Sequence, residues 1–241
     1  MPFEMGVRNA YSTLHGYLHQ DRNFIYDKET SRIMSRVLSQ DSNCLDVGAN
    51  EGTFVRQMLK FAPRGEHMAF EPIPELAAKL AGRYPEVEVH ECALSDVSGT
   101  STFQLVTNDT GYSGLRRRHY DFGEPIIREI EVRTRTLDEL YPFERPLRFV
   151  KIDIEGAEYL MLKGGKRTLR AHAPYIVFEH GRGAANYYGV RPEQLYDLLT
   201  KEIGLQISVM EDWLEGGEPL SRKELTEQFD KKINYYFLAH P

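Results

Sequence analysis

Short apolar runs alternate along this chain with longer stretches in which apolar residues recur every three or four positions. The short runs are typical of buried strands, and the longer pattern is typical of helices that pack by one face. The spacing predicts strands at residues 44–47, 68–70, 87–89, 149–154, 175–178, 206–210 and 234–238. It predicts helices at residues 30–38, after Gly52, after Pro74 and at residues 192–203. Strands that alternate with helices indicate an α/β fold on a mainly parallel sheet with right-handed crossovers.

One interval departs from this alternation. Residues 98–148 show little helical pattern and contain two β-prone stretches, residues 100–106 and 127–135. We predict that they form an antiparallel β insertion between the third and fourth strands, carried by the main sheet. Residues 1–40 are predicted to be a helical N-terminal leader or cap, and residues 41–241 a single domain. The polar loop at residues 108–114 is a candidate lid, since long loops of this kind often carry function.

A turn rich in small residues follows the first strand, with the sequence Asp46–Val47–Gly48–Ala49–Asn50–Glu51–Gly52. In an open α/β sheet, ligands bind outside the carboxyl ends of the strands, next to such a turn. A dinucleotide site requires G-x-G-x-x-G, but Asn50 stands where the second glycine would be. A phosphate-binding P-loop requires Gly-Lys-Ser/Thr, but Thr53 follows Gly52 directly. Asp46 would repel a phosphate and attract a sulfonium, which favours S-adenosylmethionine over NAD or ATP.

A second acidic residue, Glu71, ends the second predicted strand. A carboxylate at that position can accept hydrogen bonds from both hydroxyls of an adenosine ribose. The competing interpretation is that Asp46 and Glu71 only cap the helices that follow them. Because two acids stand at successive strand ends, we favour the cofactor interpretation.

Three acids surround the turn after the fourth predicted strand: Asp153, Glu155 and Glu158. Asp153 and Glu155 would project to the same side of a strand. Helix capping explains Glu158, because acids are favoured in the first turn of a helix. It does not explain Asp153, which stands between two isoleucines in a buried strand, where a carboxylate is costly without a partner. Asp153 is therefore a candidate functional residue.

The composition narrows the range of partners. The chain has 30 lysines and arginines against 36 aspartates and glutamates, and a net charge of -6 disfavours a protein that coats nucleic acid. The basic cluster Arg116–Arg117–Arg118–His119 is predicted to be a solvated loop. Cys44 and Cys92 are predicted to be buried free thiols. No apolar stretch approaches the roughly 18 residues that cross a membrane, so we expect no membrane partner and a reduced, cytoplasmic setting.

Several of these segments together resemble the FkbM family of S-adenosylmethionine-dependent methyltransferases. They are DVGANEG at residues 46–52, FEP at 70–72, ALSD at 93–96 and KIDIEGAE at 151–158. The resemblance covers roughly residues 44 to 180. It implies a class I, Rossmann-like fold with a seven-stranded, mostly parallel sheet, helices on both faces and an antiparallel last strand. It also implies O-methylation of a hydroxyl on a sugar or a small natural-product metabolite.

The same resemblance implies roles for particular residues. The turn at Gly48 would pass beside the methionine part of the cofactor, and Glu71 would hold the ribose. Residues 92–93 would border the adenine. Asp153 would lie near the methyl donor and Glu155 near the acceptor. The implied cofactor-binding set is Asp46, Gly48, Ala49, Asn50, Gly52, Glu71, Pro72, Cys92, Ala93 and Asp153.

A hydroxyl acceptor benefits from a base that takes its proton as the new bond forms. The catalytic candidates are Asp153, Glu155 and His180, because they follow strands whose carboxyl ends share one edge of the sheet. A less favoured alternative places one Mg²⁺ on Asp153, Glu179 and His180. The preferred interpretation is a set of hydrogen-bonded carboxylates without a metal.

The leading hypothesis is therefore an S-adenosylmethionine-dependent O-methyltransferase acting on a sugar or small-molecule acceptor, with no nucleic-acid partner. The sequence is compatible with a homo-oligomer. Two alternatives on the same fold are a nicotinamide-dependent oxidoreductase and a non-catalytic nucleoside-binding module. The oxidoreductase requires the G-x-G-x-x-G pattern, which fails at Asn50. The binding module predicts a degraded site, whereas Gly48 and the acids at the strand ends are all present.

Overall fold

The computed structural model describes residues 22–120 and 123–241, so residues 1–21 of the predicted leader lie outside the described residues. The first elements of the described part are α1 (residues 22–37), β1 (Cys44–Val47), α2 (Thr53–Phe61), β2 (Met68–Phe70), α3 (Pro74–Arg83) and β3 (Glu88–His90). Next come β4 (Ala93–Leu94), β5 (Gly99–Val106), a 3₁₀ turn (Thr110–Tyr112), β6 (Ile127–Arg135), α4 (Leu137–Leu140) and β7 (Phe149–Ile152). The remaining elements are α5 (Glu158–Gly164), α6 (Lys166–His172), β8 (Tyr175–Glu179), a 3₁₀ turn (Ala185–Tyr188), α7 (Pro192–Asp197) with a π-helical continuation (Leu198–Ile203), β9 (Gln206–Val209), α8 (Met210–Glu215), α9 (Arg222–Asp230) and β10 (Tyr236–His240).

In the described part of the chain, seven strands form the main sheet, in the order β3-β2-β1-β7-β8-β10-β9. Within this sheet, neighbouring strands pair in parallel from β3 through β2, β1 and β7 to β8. Strand β10 runs antiparallel to both β8 and β9. This confirms the predicted class I, Rossmann-like α/β sheet with an antiparallel last strand. Strand β7 ends at Ile152, two residues before the predicted end. The chain turns sharply there, with Glu155 and Gly156 at φ angles of 60° and 103°.

Helices cover both faces of the main sheet, as predicted. On one face, side chains of α1, α2 and α8 pack against alternate strand residues such as Phe149 and Val177. On the other face, side chains of α5, α6, α7 and α9 pack against Val150, Ile176 and Phe178. Cys44 and Cys92 are buried free thiols, as predicted. None of the helices among the described residues is both long and apolar enough to span a membrane.

The β insertion forms, but not as the sequence suggested. Strands β5 and β6 pair antiparallel along their whole length, and β6 also pairs in parallel with the short strand β4. These three strands make a separate sheet, so the prediction that the main sheet carries the insertion is wrong. Apolar packing holds the hairpin in place instead. Ile73 and Leu76 at the start of α3 contact Phe103, Leu105 and Val132 of the hairpin.

Candidate functional site

A cavity opens at the carboxyl ends of β1, β2 and β7, and the insertion covers it from one side. Its wall contains eight of the residues that the sequence nominated: Gly48, Asn50, Glu71, Pro72, Cys92, Ala93, Asp153 and Glu155. The apolar part of the wall comes from Val47, Phe70, Ile73, Leu94, Phe103, Leu115, Ile154 and Ala157. The loop of the insertion adds Thr110, Gly111 and Ser113. The cavity therefore lies at the strand ends where an α/β sheet binds its ligands.

The turn after β1 brings the β1 and β7 edges together. Gly48 has a φ angle of 82°, which L side chains rarely adopt. A Cβ on Gly48 would stand only 2.0 Å from the carbonyl oxygen of Asp153. The backbone amides of Gly48 and Ala49 both donate to the carbonyl oxygen of Phe70, which ties the turn to β2. Glycine is therefore required because two strand ends approach each other at this point.

Three residues of the nominated cofactor set do not line the cavity. Asp46 is buried behind the turn, where its carboxylate accepts the backbone N–H of Val55 in the first turn of α2. Gly52 makes room for α3, since a Cβ there would lie 2.7 Å from Leu80. Ala49 is packed in an apolar cluster with Val55. The structure thus gives these residues a role in shaping the turn, and for Asp46 the capping interpretation describes the geometry.

Asp46 still influences the site by its charge state. Burial raises the pKa of Asp46 to about 7, although the positive charge of Lys151 opposes that rise. Its Oδ2 atom is buried and has no hydrogen-bond partner among the described residues.

Glu71 lies in the cavity wall at the end of β2. One carboxylate oxygen accepts the backbone N–H of Asn50 at 2.8 Å, and the other accepts the N–H of Ile73 at 2.9 Å. Burial raises the pKa of Glu71 to about 7, and these two hydrogen bonds lower it. An ionised carboxylate offers about four lone-pair positions, so two remain for a ligand. The side chain thus both fixes the turn ahead of α3 and presents unused acceptors to the cavity.

Three carboxyl groups of the described residues gather beside the cavity, at the ends of β7 and β8. One oxygen from each of Asp153, Glu155 and Glu179 lies within 4.8 Å of the other two, and we call this set the carboxylate trio. Asp153 and Glu155 also line the cavity, whereas Glu179 lies next to them without forming part of its wall. The trio therefore concentrates three carboxyl groups at one edge of the cavity.

Asp153 is held by a cation and a phenol. The Lys151 ammonium lies 3.1 Å from Oδ2 of Asp153, and the Tyr236 hydroxyl donates to the same oxygen. Burial raises the pKa of Asp153, but the Lys151 charge and these hydrogen bonds outweigh that effect and bring it below its usual value. Asp153 therefore stays ionised, and its partners explain how a carboxylate is tolerated after a buried strand.

Glu155 is paired with Arg118, a residue of the insertion. The Arg118 side chain is 10% exposed, and its guanidinium lies 4.7 Å from the centre of the Tyr112 ring. The prediction of a solvated loop is therefore wrong for Arg118. It holds better for Arg117, whose side chain is 65% exposed. Arg116 donates to the carbonyl oxygen of Tyr187. A cluster of charges in the sequence does not reveal which of its members folds inward.

Glu179 differs from the other two carboxyls. Among the described residues, its carboxylate has neither a hydrogen bond nor an ion pair. Burial raises the pKa of Glu179 to about 8, and the negative charges of Asp153 and Glu158 add to the rise. Glu158 is itself engaged, because it accepts the backbone N–H groups of Ile154 and Gly156. Glu179 is therefore the member of the trio whose lone pairs are uncommitted.

His180 does not join the trio, although it was a catalytic candidate. Its ring is buried on the opposite face of the sheet and stacks on Phe229 of α9, with ring centres 5.0 Å apart. Burial lowers the pKa of His180 to about 4. Alternation along β8 places Glu179 on the same face as Val177, whereas the ring of His180, which follows the strand, packs on α9. The predicted Mg²⁺ set of Asp153, Glu179 and His180 is therefore wrong.

The trio offers carboxylate oxygens that could ligate a divalent cation. Cationic side chains already pair with two of its members, however: Lys151 lies beside Asp153, and Arg118 lies beside Glu155. A metal ion at the trio would be repelled by these two cations. The arrangement therefore fits the interpretation of hydrogen-bonded and ion-paired carboxylates.

Sequence reasoning missed much of the cavity wall. Phe70 and Leu94 stand next to nominated strand ends, so their positions alone could have suggested them. Phe103 and Leu115 come from the insertion, and no local pattern indicates that this hairpin packs on α3. The polar loop at residues 108–114 does border the cavity, where a lid was predicted.

Comparison with known proteins identifies the family. Residues 46–204 match the methyltransferase FkbM domain. The chain belongs to the FkbM methyltransferase family. The resemblance noted in the sequence is thereby confirmed, and the match covers the cavity and the trio. A solved FkbM methyltransferase from Methylobacillus flagellatus KT shares the fold at a TM-score of 0.50 and 17% identity, over 85% of this chain and 44% of that one.

The chain is also similar to two named proteins. It is 29% identical to the 2-O-methyltransferase NoeI of Sinorhizobium fredii, over 69% of this chain and 70% of NoeI. It is 30% identical to the AMB antimetabolite synthetase AmbE of Pseudomonas aeruginosa, over 84% of this chain. The chain spans only 12% of AmbE. The similarity to AmbE therefore concerns one part of a much larger protein.

Proposed function

We propose that this FkbM-family methyltransferase uses S-adenosylmethionine to methylate a hydroxyl group of a sugar or a small natural-product metabolite. The observation that carries the proposal is the arrangement of acids around one cavity. Glu71 borders it on the β2 side, and Asp153 and Glu155 border it on the β7 side. A nucleoside with a sulfonium group needs an acceptor pair for the ribose and negative charge near the sulfur. The relative named as a 2-O-methyltransferase supports a hydroxyl as the methyl acceptor.

The residues of the cavity suit the parts of this cofactor. The two uncommitted lone-pair positions of Glu71 match the two ribose hydroxyls. The apolar side chains of Phe70, Ile73 and Leu94 suit the flat faces of an adenine ring. The open turn at Gly48 and Asn50 leaves room for the methionine part. When bound, S-adenosylmethionine supplies a methyl carbon on a positively charged sulfur, which the acceptor oxygen attacks as the carbon–sulfur bond breaks.

The chain itself must align the acceptor and receive its proton. Asp153 is held ionised beside Lys151, and its negative charge, together with that of Glu158, adds to the raised pKa of Glu179. Glu179 has no such partner among the described residues and is the carboxyl best able to take the proton. A pKa of about 8 is also near the operating pH, where a general base works efficiently. We therefore assign Glu179 the role that the sequence suggested for His180.

The proposal is tested by methyl transfer to a panel of acceptors. The protein is incubated with methyl-labelled S-adenosylmethionine and methyl glycosides or small polyhydroxylated metabolites, and the products are analysed by mass spectrometry. A methyl ether on an acceptor hydroxyl, with equimolar S-adenosylhomocysteine, is the expected product. A methylated nitrogen or a methyl ester as the sole product would contradict methylation of a hydroxyl group. Tight binding of the cofactor without transfer to any acceptor would favour a nucleoside-binding module.

A further inference from the structure

The insertion lays a segment over the cofactor cavity that we call the strap, residues 108–118. Thr110, Gly111, Ser113 and Leu115 of the strap form part of the cavity wall. The strap folds back on β5, because Gly114 and Gln104 exchange both backbone hydrogen bonds. The Ser113 hydroxyl also accepts the backbone N–H of Val106. Hydrogen bonds to β5 thus fix the conformation of the strap, and its tip faces the strand ends.

Side-chain contacts join the strap to both strand-end turns. The Thr110 hydroxyl donates to the side-chain oxygen of Asn50, at 3.3 Å, on the turn after β1. The Arg118 guanidinium pairs with the Glu155 carboxylate on the turn after β7. These contacts lie on either side of the cavity, so the strap bridges it. The ion pair is the stronger of them, because it joins opposite charges that are nearly buried.

Burial and neighbouring residues support the Arg118–Glu155 pair. Both side chains are nearly buried, with 10% and 12% of their surface exposed. The Tyr112 ring, itself part of the strap, lies against the guanidinium. Gly114 permits the approach, since a Cβ there would lie 3.2 Å from Cβ of Glu155. Exposed ion pairs contribute little to stability, but removing one partner of a buried pair is costly.

We propose that the Arg118–Glu155 ion pair fastens the strap over the cofactor cavity, which makes Arg118 a positioning residue that retains the bound cofactor. This inference rests on the proposed function, since it takes the cofactor to be S-adenosylmethionine. A ligand beneath the strap can leave only after the strap moves away from the strand ends. The strength of the ion pair therefore limits both the release and the entry of the ligand.

The test is the dissociation rate of S-adenosylhomocysteine, followed by stopped-flow displacement, in the wild type and in variants of the full chain. Arg118→Gln is expected to release the ligand about tenfold faster, with no decrease in the association rate. Arg118→Lys keeps the charge and should recover part of the slow release. The matched control is Arg117→Gln, because Arg117 is the neighbouring arginine on the solvent side and contacts Gln104 and Glu129. Its release rate should equal that of the wild type.

A double-mutant cycle separates the pair from a general effect on folding. If Arg118 acts through Glu155, then Arg118→Gln combined with Glu155→Gln should release the ligand no faster than the faster single variant. Amide hydrogen exchange should quicken in the strap but not in β7 of Arg118→Gln. An unchanged release rate in Arg118→Gln, or additive effects in the cycle, would overturn the inference. Failure of the wild type to bind S-adenosylhomocysteine would instead overturn the proposed function.

Discussion

The carbonyl oxygen of Asp153 lies 2.0 Å from the point where a Cβ on Gly48 would stand. The turn after β1 and the turn after β7 are therefore in backbone contact, and the cavity wall is continuous between them. Gly48 also has a φ angle of 82°, so a side chain there meets both a clash and an unfavourable backbone conformation.

Gly48→Ala should consequently destabilise the protein and deform the cavity. We expect the free energy of unfolding to fall by about 2–4 kcal/mol, measured by denaturant titration. Gly82→Ala is the matched control, because Gly82 lies in α3 with open space around its Cα. That change should leave stability unchanged or raise it by about 0.5–1 kcal/mol. Equal losses for both variants would contradict the close approach at Gly48.

Lys151 is the buried counter-ion of Asp153, with only 2% of its side chain exposed. Lys151→Met keeps the length of the side chain but leaves Asp153, whose side chain is 34% exposed, without its cation. We expect a loss of about 1–3 kcal/mol in the free energy of unfolding at neutral pH, because solvent and the Tyr236 hydroxyl still stabilise the carboxylate. The control is Lys163→Met, since Lys163 pairs with Asp96 on the surface and should contribute less than about 1 kcal/mol. A loss no larger than the control's would show that the pair contributes little.

Glu179 gives the stability of the protein a defined pH dependence. Its pKa in the folded state is raised to about 8 by burial, above the value in an unfolded chain. The folded state therefore favours protonated Glu179, and this contribution to stability is lost as the pH rises from about 4.5 through 8.

Glu179→Gln should remove that loss, because glutamine mimics the protonated side chain. The difference in unfolding free energy between pH 6 and pH 9 should shrink by more than about 1.4 kcal/mol, the equivalent of one pKa unit. Glu218→Gln, at an exposed position, serves as the control. A pH profile that is the same for wild type and Glu179→Gln would refute the assignment of the raised pKa to Glu179.

The cations beside the trio predict how the protein responds to divalent metals. Because Lys151 and Arg118 already pair with Asp153 and Glu155, we expect no strong metal site there. Treatment with EDTA followed by excess Mg²⁺ should leave the midpoint of thermal unfolding unchanged. A saturating ligand of the folded state would instead raise it by several degrees. A rise that Asp153→Asn abolishes would establish the trio as a metal site.

The sequence was informative where chemistry depends on neighbours along the chain. The strands of the main sheet follow from local apolar runs, and Glu71 and Asp153 stand at the strand ends that those runs define. The carboxyl ends of parallel strands share one edge of the sheet, so the residues that follow them become candidates for the site from the chain's apolar pattern.

The sequence was misleading where the location of a residue depends on the direction of its side chain or on a contact with a distant part of the chain. Glu179 and His180 are adjacent in the chain, but strand alternation sends only Glu179 to the trio. Arg118 belongs to a charge run typical of solvated loops, and only the fold of the insertion buries it against Glu155. The hairpin itself pairs with β4 instead of the main sheet because its apolar face packs on α3.

The most direct test of the account is calorimetric titration of the purified protein with S-adenosylhomocysteine and, separately, with NAD. We predict one S-adenosylhomocysteine site per chain and no binding of NAD. Glu71→Ala should weaken the affinity more than tenfold, in line with about 1.5–3 kcal/mol for hydrogen bonds to a charged group. Glu75→Ala, an exposed acid in the first turn of α3, should leave it unchanged. Binding of NAD alone, or equal affinities for wild type and Glu71→Ala, would contradict the account.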